Sequence, residues 1–136
     1  MVKTNAPTER QEQIAFLRWF NMAFPGVRIL SIPNERKINR VSGYLLNLMG
    51  RSRGAPDTYI PKYKIWVEMK RSNWKEPKTL KLDTTAYHQR SWWDYLVNEC
   101  GDTVFVTTGW EMARKQVYDK IMKIKAEEAK LKLTKD

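Results

Sequence analysis

Three residues near the middle of the chain have side chains whose types and spacing could support phosphate hydrolysis. Asp57 follows Gly-Ala-Pro, and Glu68 and Lys70 come later as a Glu-x-Lys pair. Two carboxylates offer the oxygen ligands that a hard cation such as Mg²⁺ prefers. Such an ion can polarise a phosphate and lower the pKa of bound water. A nearby lysine could then orient that water or stabilise charge developing on the phosphate.

The segment between these residues has the pattern of a β-hairpin. Two short apolar segments, 58–60 and 65–67, flank the polar connection 61–64. A tight hairpin lays the start of its first strand beside the end of its second. We therefore expect Asp57 and Glu68 to converge at one end of a small sheet.

Alternation along the second strand places Glu68 and Lys70 on one face, and Val67 and Met69 on the other. Glu-x-Lys is very common, and alone it indicates an ordinary exposed ion pair on a surface hairpin. Pro-Asp before one strand, with Glu-x-Lys at the end of its partner, is a sharper signal. The combination favours a metal-dependent hydrolytic site.

At these residues the chain resembles the VRR-NUC nucleases, a branch of the PD-(D/E)XK nucleases found in phages and in DNA-repair enzymes. Gly-Ala-Pro-Asp, ending at Asp57, and Val-Glu-Met-Lys, ending at Lys70, carry the signature. The likeness to stand-alone phage members covers about residues 8–120. It includes Thr8, Glu9, Gln13, Trp19, Ile32–Glu35, Gly50–Gly54, Gln89, Leu96, Gly101 and Gly109–Glu111.

The resemblance implies a fold and a set of roles. The fold is a restriction-endonuclease-like α/β core, a small mixed sheet flanked by helices. Lys70 and Gln89 would orient the attacking water for in-line displacement at phosphorus. Mn²⁺ should replace Mg²⁺, because it accepts similar oxygen ligands. The implied metal ligands are Asp57, Glu68, the Met69 carbonyl and, directly or through water, Glu9.

The first helix is predicted from a capping box, Thr8 with Gln11, and runs to about Phe24. Its apolar stripe is formed by Phe16, Leu17, Phe20 and Phe24.

Two acidic residues of this helix are candidates for the site. By helical spacing, Glu9 and Gln13 lie on the apolar stripe and Glu12 on its flank. Glu9 also has a simpler interpretation, because an anion is favourable at a helix N-terminus. The resemblance assigns the metal-site role to Glu9, with Glu12 as the alternative.

A second helix is predicted from N-cap residues 83–85 to Cys100. Gln89 is the polar member of its apolar face, and His88 points elsewhere, so we expect His88 to be non-catalytic. A hydrogen-bonded core amide is the commoner role for such a glutamine. The resemblance instead places Gln89 in the active site. The other members of the face are Trp92, Trp93, Leu96 and Cys100.

The remaining elements complete one domain over residues 8–125, between a flexible segment 1–7 and a charged tail 126–136 that we expect to fray. The tail would follow a last helix that starts at a Thr108–Glu111 capping box. The other predicted elements are strands over Val27–Ile32 and Thr103–Thr107 and a short helix over Tyr44–Leu48.

A net charge of +10 and a pI near 9.8 favour a polyanionic partner, which we take to be DNA. Asn34 could instead cap a turn, and Trp74 could cover a core edge or form a dimer contact rather than stack on a base. The candidate DNA contacts are Asn34, Arg36, Lys37, Arg51, Arg53, Arg71, Trp74 and Lys75.

The cysteine and histidine content argues against a disulfide and against metal sites built on either residue. Cys100 and His88 are single, so an intrachain disulfide, a cysteine-based zinc cluster and a histidine metal site are not expected. There is no apolar signal segment or membrane-length run. We expect a soluble cytoplasmic protein of a phage-infected or prophage-carrying bacterial cell.

The sequence and the resemblance together predict an Mg²⁺-dependent DNA endonuclease. Stand-alone family members resemble Holliday-junction resolvases and act as homodimers, so selectivity for branched DNA is implied by the resemblance alone. A nuclease for flaps, nicks or specific duplex sites is the second enzyme hypothesis. A basic DNA-binding module with a merely structural acidic cluster is the non-enzyme hypothesis.

Overall fold

A four-stranded sheet with helices on both faces forms the body of the protein. The computed structural model describes residues 6–32 and 54–134. The helices are α1 (Glu9–Ala23), α2 (Thr85–Asn98) and α3 (Trp110–Thr134), and the strands are β1 (Leu30–Ser31), β2 (Thr58–Ile60), β3 (Ile65–Lys70) and β4 (Thr103–Thr108). The predicted small mixed sheet flanked by helices is confirmed.

The hairpin has the predicted position and length. β2 and β3 are antiparallel, with Tyr59 opposite Trp66. A short 3₁₀ turn, Pro61–Tyr63, joins them, and Lys64 adopts a left-handed conformation after it. β1 extends the sheet on the β2 side, and β4 lies parallel to β3 on the other. The crossover through α2 supplies the connection that parallel strands require.

The core lies between the sheet and the pair α1 and α3. Every second residue of β3, from Ile65 to Met69, points into it, so the predicted face alternation is confirmed. The buried apolar residues of this core are Phe16, Phe20, Phe24, Ile60, Tyr63, Ile65, Val67, Met69, Ala113, Val117 and Ile121.

The buried row of α1 differs from the predicted stripe by a small rotation. Thr8 and Gln11 form the expected capping box. Glu12, Phe16 and Phe20 are the buried residues of the helix, whereas Leu17 is half-buried. The placement of Glu12 on a flank was therefore wrong, since the buried row follows an i, i+4 series that begins at Glu12.

Three other predicted boundaries differ from those in the structure. The strand expected over Val27–Ile32 is reduced to Leu30–Ser31 at the sheet edge. α3 begins at Trp110, and Thr108 is still the last residue of β4, so the Thr108–Glu111 capping box was wrong. The same helix continues through Thr134, so the segment from residue 126 is helical and exposed where we expected fraying.

Some sequence predictions lie outside the described residues. They are the helix over Tyr44–Leu48 and the contacts of Asn34, Arg36, Lys37, Arg51 and Arg53. Within residues 6–32 and 54–134, no helix combines the length and the apolar content needed to cross a bilayer.

Gly54 fixes the approach of the hairpin to α2. Its φ is +91°, and a Cβ there would lie 2.7 Å from the His88 carbonyl carbon and 2.8 Å from the Gln89 nitrogen. The segment that leads to Asp57 therefore rests directly on the backbone of α2. The role of this glycine in the structure is therefore packing.

Gly54→Ala should destabilise the protein by about 3 kcal/mol, because left-handed strain adds to a clash with helix backbone. Equilibrium unfolding in urea measures the loss. Gly26→Ala is the matched control, since Gly26 has φ +86° and open space around it, and should lose only about 1 kcal/mol. Equal losses in the two variants would contradict the packing role.

Candidate active site

A buried polar cluster lies on the α2 side of β3, opposite the apolar core. Glu68 and Lys70 project from alternate positions of the strand, and Gln89 reaches them from α2. All three side chains are almost completely buried, with exposed fractions of 2%, 5% and 6%. A buried cluster of this kind is stable only if its polar atoms satisfy one another.

Gln89 bridges the two charged residues. Its Oε1 accepts from Lys70 Nζ at 2.9 Å, and its Nε2 donates to Glu68 Oε1 at 3.0 Å. A lysine ammonium can only donate, so the amide turns its Oε1 toward Lys70 and its Nε2 toward Glu68. Lys70 Nζ also lies 3.5 Å from Glu68 Oε1. The exposed ion pair considered from the sequence is therefore wrong, because the pair is buried.

The second oxygen of Glu68 distinguishes this carboxylate from one whose two oxygens both have hydrogen-bond partners. Glu68 Oε2 is buried and has no hydrogen-bond partner among residues 6–32 and 54–134. Burial raises the pKa of Glu68 to about 8, and the negative charges of Asp57 and Glu9 add to the rise, against the opposing effect of Lys70. The group is therefore held in an environment that disfavours its own ionised form.

Asp57 adjoins the cluster from the start of β2. Its Oδ2 accepts from the Met69 backbone N–H at 3.2 Å, and its carbonyl accepts from the Ile32 N–H at 2.7 Å. These bonds fix Asp57 between β1 and β3 at the end of the hairpin. The structure thus brings Asp57, Glu68, Lys70 and Gln89 together, with the Met69 backbone between the carboxylates.

The two acidic residues of α1 have different surroundings. Glu9 is half-buried, and its charge acts on Glu68. Glu12 is 5% exposed, and its Oε2 accepts from the N–H of Trp110, the first residue of α3. Glu12 therefore caps a neighbouring helix, a role that helical spacing in the sequence did not reveal.

The loop after β3 covers Lys70. Trp74 is half-buried, and Lys70 Nζ lies 5.5 Å from the centroid of its ring, within the range of a cation–π contact. Trp74 also borders a small cavity of about 30 Å³ beside Gln89. Trp74 follows Lys70 by four residues in the sequence. This spacing alone does not predict the contact, which exists because the loop turns back over Lys70.

Two other candidate DNA contacts lie on the same loop and are exposed. Arg71 donates from Nη2 to the Ala6 carbonyl at 3.1 Å, and Lys75 projects into solvent. His88 Nε2 lies 3.7 Å from Oδ1 of Asp83, which precedes α2. His88 takes no part in the hydrogen bonds that join Gln89 to Glu68 and Lys70.

Metal-binding capacity rests on two carboxylates. Among residues 6–32 and 54–134, no three His, Cys, Asp or Glu side chains lie close enough together to hold a metal ion. Asp57 and Glu68 remain as a pair, and the unpartnered Glu68 Oε2 is an oxygen that a cation would satisfy. Two carboxylates suit Mg²⁺, which usually keeps several water ligands.

The architecture is similar to that of a known structure. No family model and no curated protein matches the sequence. A solved structure of a VRR_NUC domain protein superimposes with a TM-score of 0.62 at 18% identity, over 87% of this chain and 91% of that chain. The chain has a VRR-NUC-like fold. At this identity the likeness extends to the fold, which is the restriction-endonuclease-like α/β arrangement implied by the sequence motif.

Proposed function

We propose that the protein is a metal-dependent endonuclease that hydrolyses phosphodiester bonds in DNA. The observation that carries the proposal is the buried cluster of Glu68, Lys70 and Gln89 beside Asp57. A carboxylate with a pKa near 8 and an unpartnered oxygen contributes poorly to stability, and such groups concentrate at functional sites. The VRR-NUC-like fold supports the same conclusion.

The residues fit a divalent cation. Asp57 and Glu68 would supply carboxylate oxygens, with the Met69 carbonyl beside them and Glu9 acting through water. Bound Mg²⁺, or Mn²⁺ in its place, would polarise the phosphate and lower the pKa of water at the site. Glu68 must ionise to bind a cation, so binding would release a proton and strengthen as the pH rises toward 8.

Lys70 and Gln89 would act on the reacting groups themselves. Gln89 holds the Lys70 ammonium in one position, and Trp74 limits its exposure to water. An ammonium fixed in a buried setting interacts more strongly with charge than one in water. Lys70 would thus orient the attacking water and stabilise the charge that develops on the phosphate.

Basic residues would hold the substrate. The chain carries a net charge of +10, which provides nonspecific attraction to a phosphate backbone. Arg71 and Lys75 follow the cluster directly and are exposed. Selectivity for branched DNA and action as a homodimer are further parts of the proposal, and they rest on the sequence resemblance.

Incubation of supercoiled plasmid with the protein, in Mg²⁺ and in EDTA, tests the reaction class. Nicking or linearisation in Mg²⁺ alone is expected. Tight binding without cleavage in either buffer would favour the basic DNA-binding module instead. Labelled four-way junction, flap and linear duplex, compared at equal concentration, would then measure the preference for branched DNA.

A further inference from the structure

The loop between β3 and α2, residues 71–84, is fixed at both of its ends. At the end of β3, the Lys70 carbonyl accepts from the Gly109 N–H at 3.1 Å. At the start of α2, the Thr84 hydroxyl accepts from the Tyr87 N–H at 3.2 Å and caps the helix. Movement of the loop is therefore confined to the residues between these two attachments.

The proposed reaction requires a phosphate to approach Lys70 and Glu68. Their side chains are 5% and 2% exposed, so a phosphate of DNA reaches them only if a covering group moves. Trp74 covers Lys70, since its ring centroid lies 5.5 Å from Lys70 Nζ. Because Trp74 is on the loop, its ring can move without breaking the hydrogen bonds of the sheet.

An ion pair joins the loop to α2 beyond Trp74. Arg90 Nη1 lies 3.1 Å from Glu76 Oε1, and Arg90 Nε lies 3.3 Å from Asp94 Oδ1. Glu76 is on the loop and Asp94 is on α2 itself, so only the first of these two pairs connects the loop to the helix. The Arg90 and Glu76 side chains are 49% and 55% exposed, so the pair is weak enough to break and re-form.

Other contacts keep the loop near the body of the protein when this ion pair is broken. Arg71 donates to the Ala6 carbonyl at 3.1 Å. Pro77 and Leu80 border the same small cavity as Trp93 of α2. Loss of the ion pair should therefore raise the fraction of molecules with an open loop without detaching the loop.

We propose that the loop is a lid on the proposed active site. In this lid Trp74 is a positioning residue that confines the Lys70 ammonium, and the Glu76–Arg90 pair is a latch. The inference rests on the proposed function, which makes Lys70 catalytic. The lid opens to admit the phosphate, and on closing it keeps the ammonium against Gln89 and away from water. Trp74 thus acts through Lys70 and not by stacking on a base.

The rate at which acetic anhydride labels Lys70, measured by mass spectrometry on the folded protein, tests the lid without DNA or metal. Trp74→Ala should raise this rate about 10-fold, whereas Trp74→Phe keeps an aromatic ring and should stay within about twofold of the wild type. Trp92→Ala is the control, because Trp92 packs against Tyr95 on α2. An unchanged rate in Trp74→Ala, or an equal rise in Trp92→Ala, would overturn the lid.

Glu76→Gln and Asp94→Asn test the latch, since each neutralises one carboxylate partner of Arg90. Only Glu76→Gln breaks a connection between the loop and α2. It alone should raise the labelling rate of Lys70, by about two- to fivefold, the effect of one exposed ion pair. Equal rates in the two variants would overturn the latch.

Single-turnover cleavage and DNA affinity separate positioning from base stacking. Trp74→Ala should cleave about 10-fold more slowly at saturating enzyme, with DNA affinity within about twofold of the wild type. A loss of affinity with an unchanged cleavage rate would overturn the positioning role and make Trp74 a base-stacking contact. Absence of cleavage by the wild type, with the labelling differences present, would overturn the proposed function while the lid and its latch still stood.

Discussion

Lys70→Ala should lower the rate of DNA cleavage about 100- to 1000-fold, the effect of removing one preorganised donor from a site where charge develops. The ammonium is fixed by Gln89 and lies beside Glu68, so its position is set by the cluster itself. Affinity for DNA should change little, because Lys70 is 5% exposed and contributes little to the basic surface. Single-turnover cleavage and fluorescence anisotropy measure the two quantities.

Lys123→Ala removes the same charge from an exposed position on α3 and serves as the control. Lys123 follows Trp110 by more than three helical turns, about 20 Å along the axis. Its loss should leave the cleavage rate unchanged at saturating enzyme. Cleavage by Lys70→Ala at the wild-type rate would remove Lys70 from the mechanism, and an equal defect in both variants would indicate a general effect of charge.

Glu68→Gln should abolish cleavage and at the same time stabilise the protein at pH 8, by about 4 kcal/mol. The amide has the shape of the carboxyl group, and it can still accept from Gln89. It carries no charge to desolvate, and it is a poor ligand for a cation. A substitution that raises stability and abolishes activity is expected at a residue whose role is catalytic.

The pH dependence of stability explains why Glu68→Gln should raise the free energy of unfolding. Between about 4.5 and about 8, the unfolded state loses the Glu68 proton while the folded state keeps it. The unfolded state is therefore favoured progressively, and Glu68 lowers the free energy of unfolding by about 1.4 kcal/mol per pH unit. The effect is absent below that interval and constant above it.

Urea unfolding of wild type and Glu68→Gln at pH 5, 6, 7, 8 and 9 measures the difference, since the other titrating groups largely cancel. The variant should gain on the wild type as the pH rises and reach a plateau above about 8. A constant difference across this range would mean that Glu68 ionises normally in the folded protein. The account of the cluster as a high-energy site would then be wrong.

The hairpin and its faces could be predicted because local rules determine them. The 61–64 connection sets the register that brings Asp57 beside Met69, and alternation places Glu68 and Lys70 on one side. Gln89 was identified as the polar member of an apolar helix face. Its bridging hydrogen bonds could not be predicted, because they depend on how α2 crosses the sheet and on the space left by Gly54.

The features that sequence reasoning missed all depend on tertiary contacts. Glu12 is buried because α3 starts beside it, and helical periodicity in α1 contains no information about a partner helix. The N-terminus of α3 needs no Thr108 side-chain cap, because Glu12 supplies the acceptor from outside. Trp74 likewise contacts Lys70 only because the loop after β3 turns back over the cluster. The candidate contacts within residues 33–53 lie outside the described structure.

The most direct test of the account is plasmid cleavage by wild type and Asp57→Asn, each in Mg²⁺ and in EDTA. The asparagine oxygen can still accept from the Met69 N–H, so the hairpin should remain folded. We predict cleavage only by the wild type and only in Mg²⁺, with DNA binding retained by the variant. Cleavage in EDTA, or wild-type cleavage by Asp57→Asn, would contradict a metal-dependent nuclease site at the end of this hairpin.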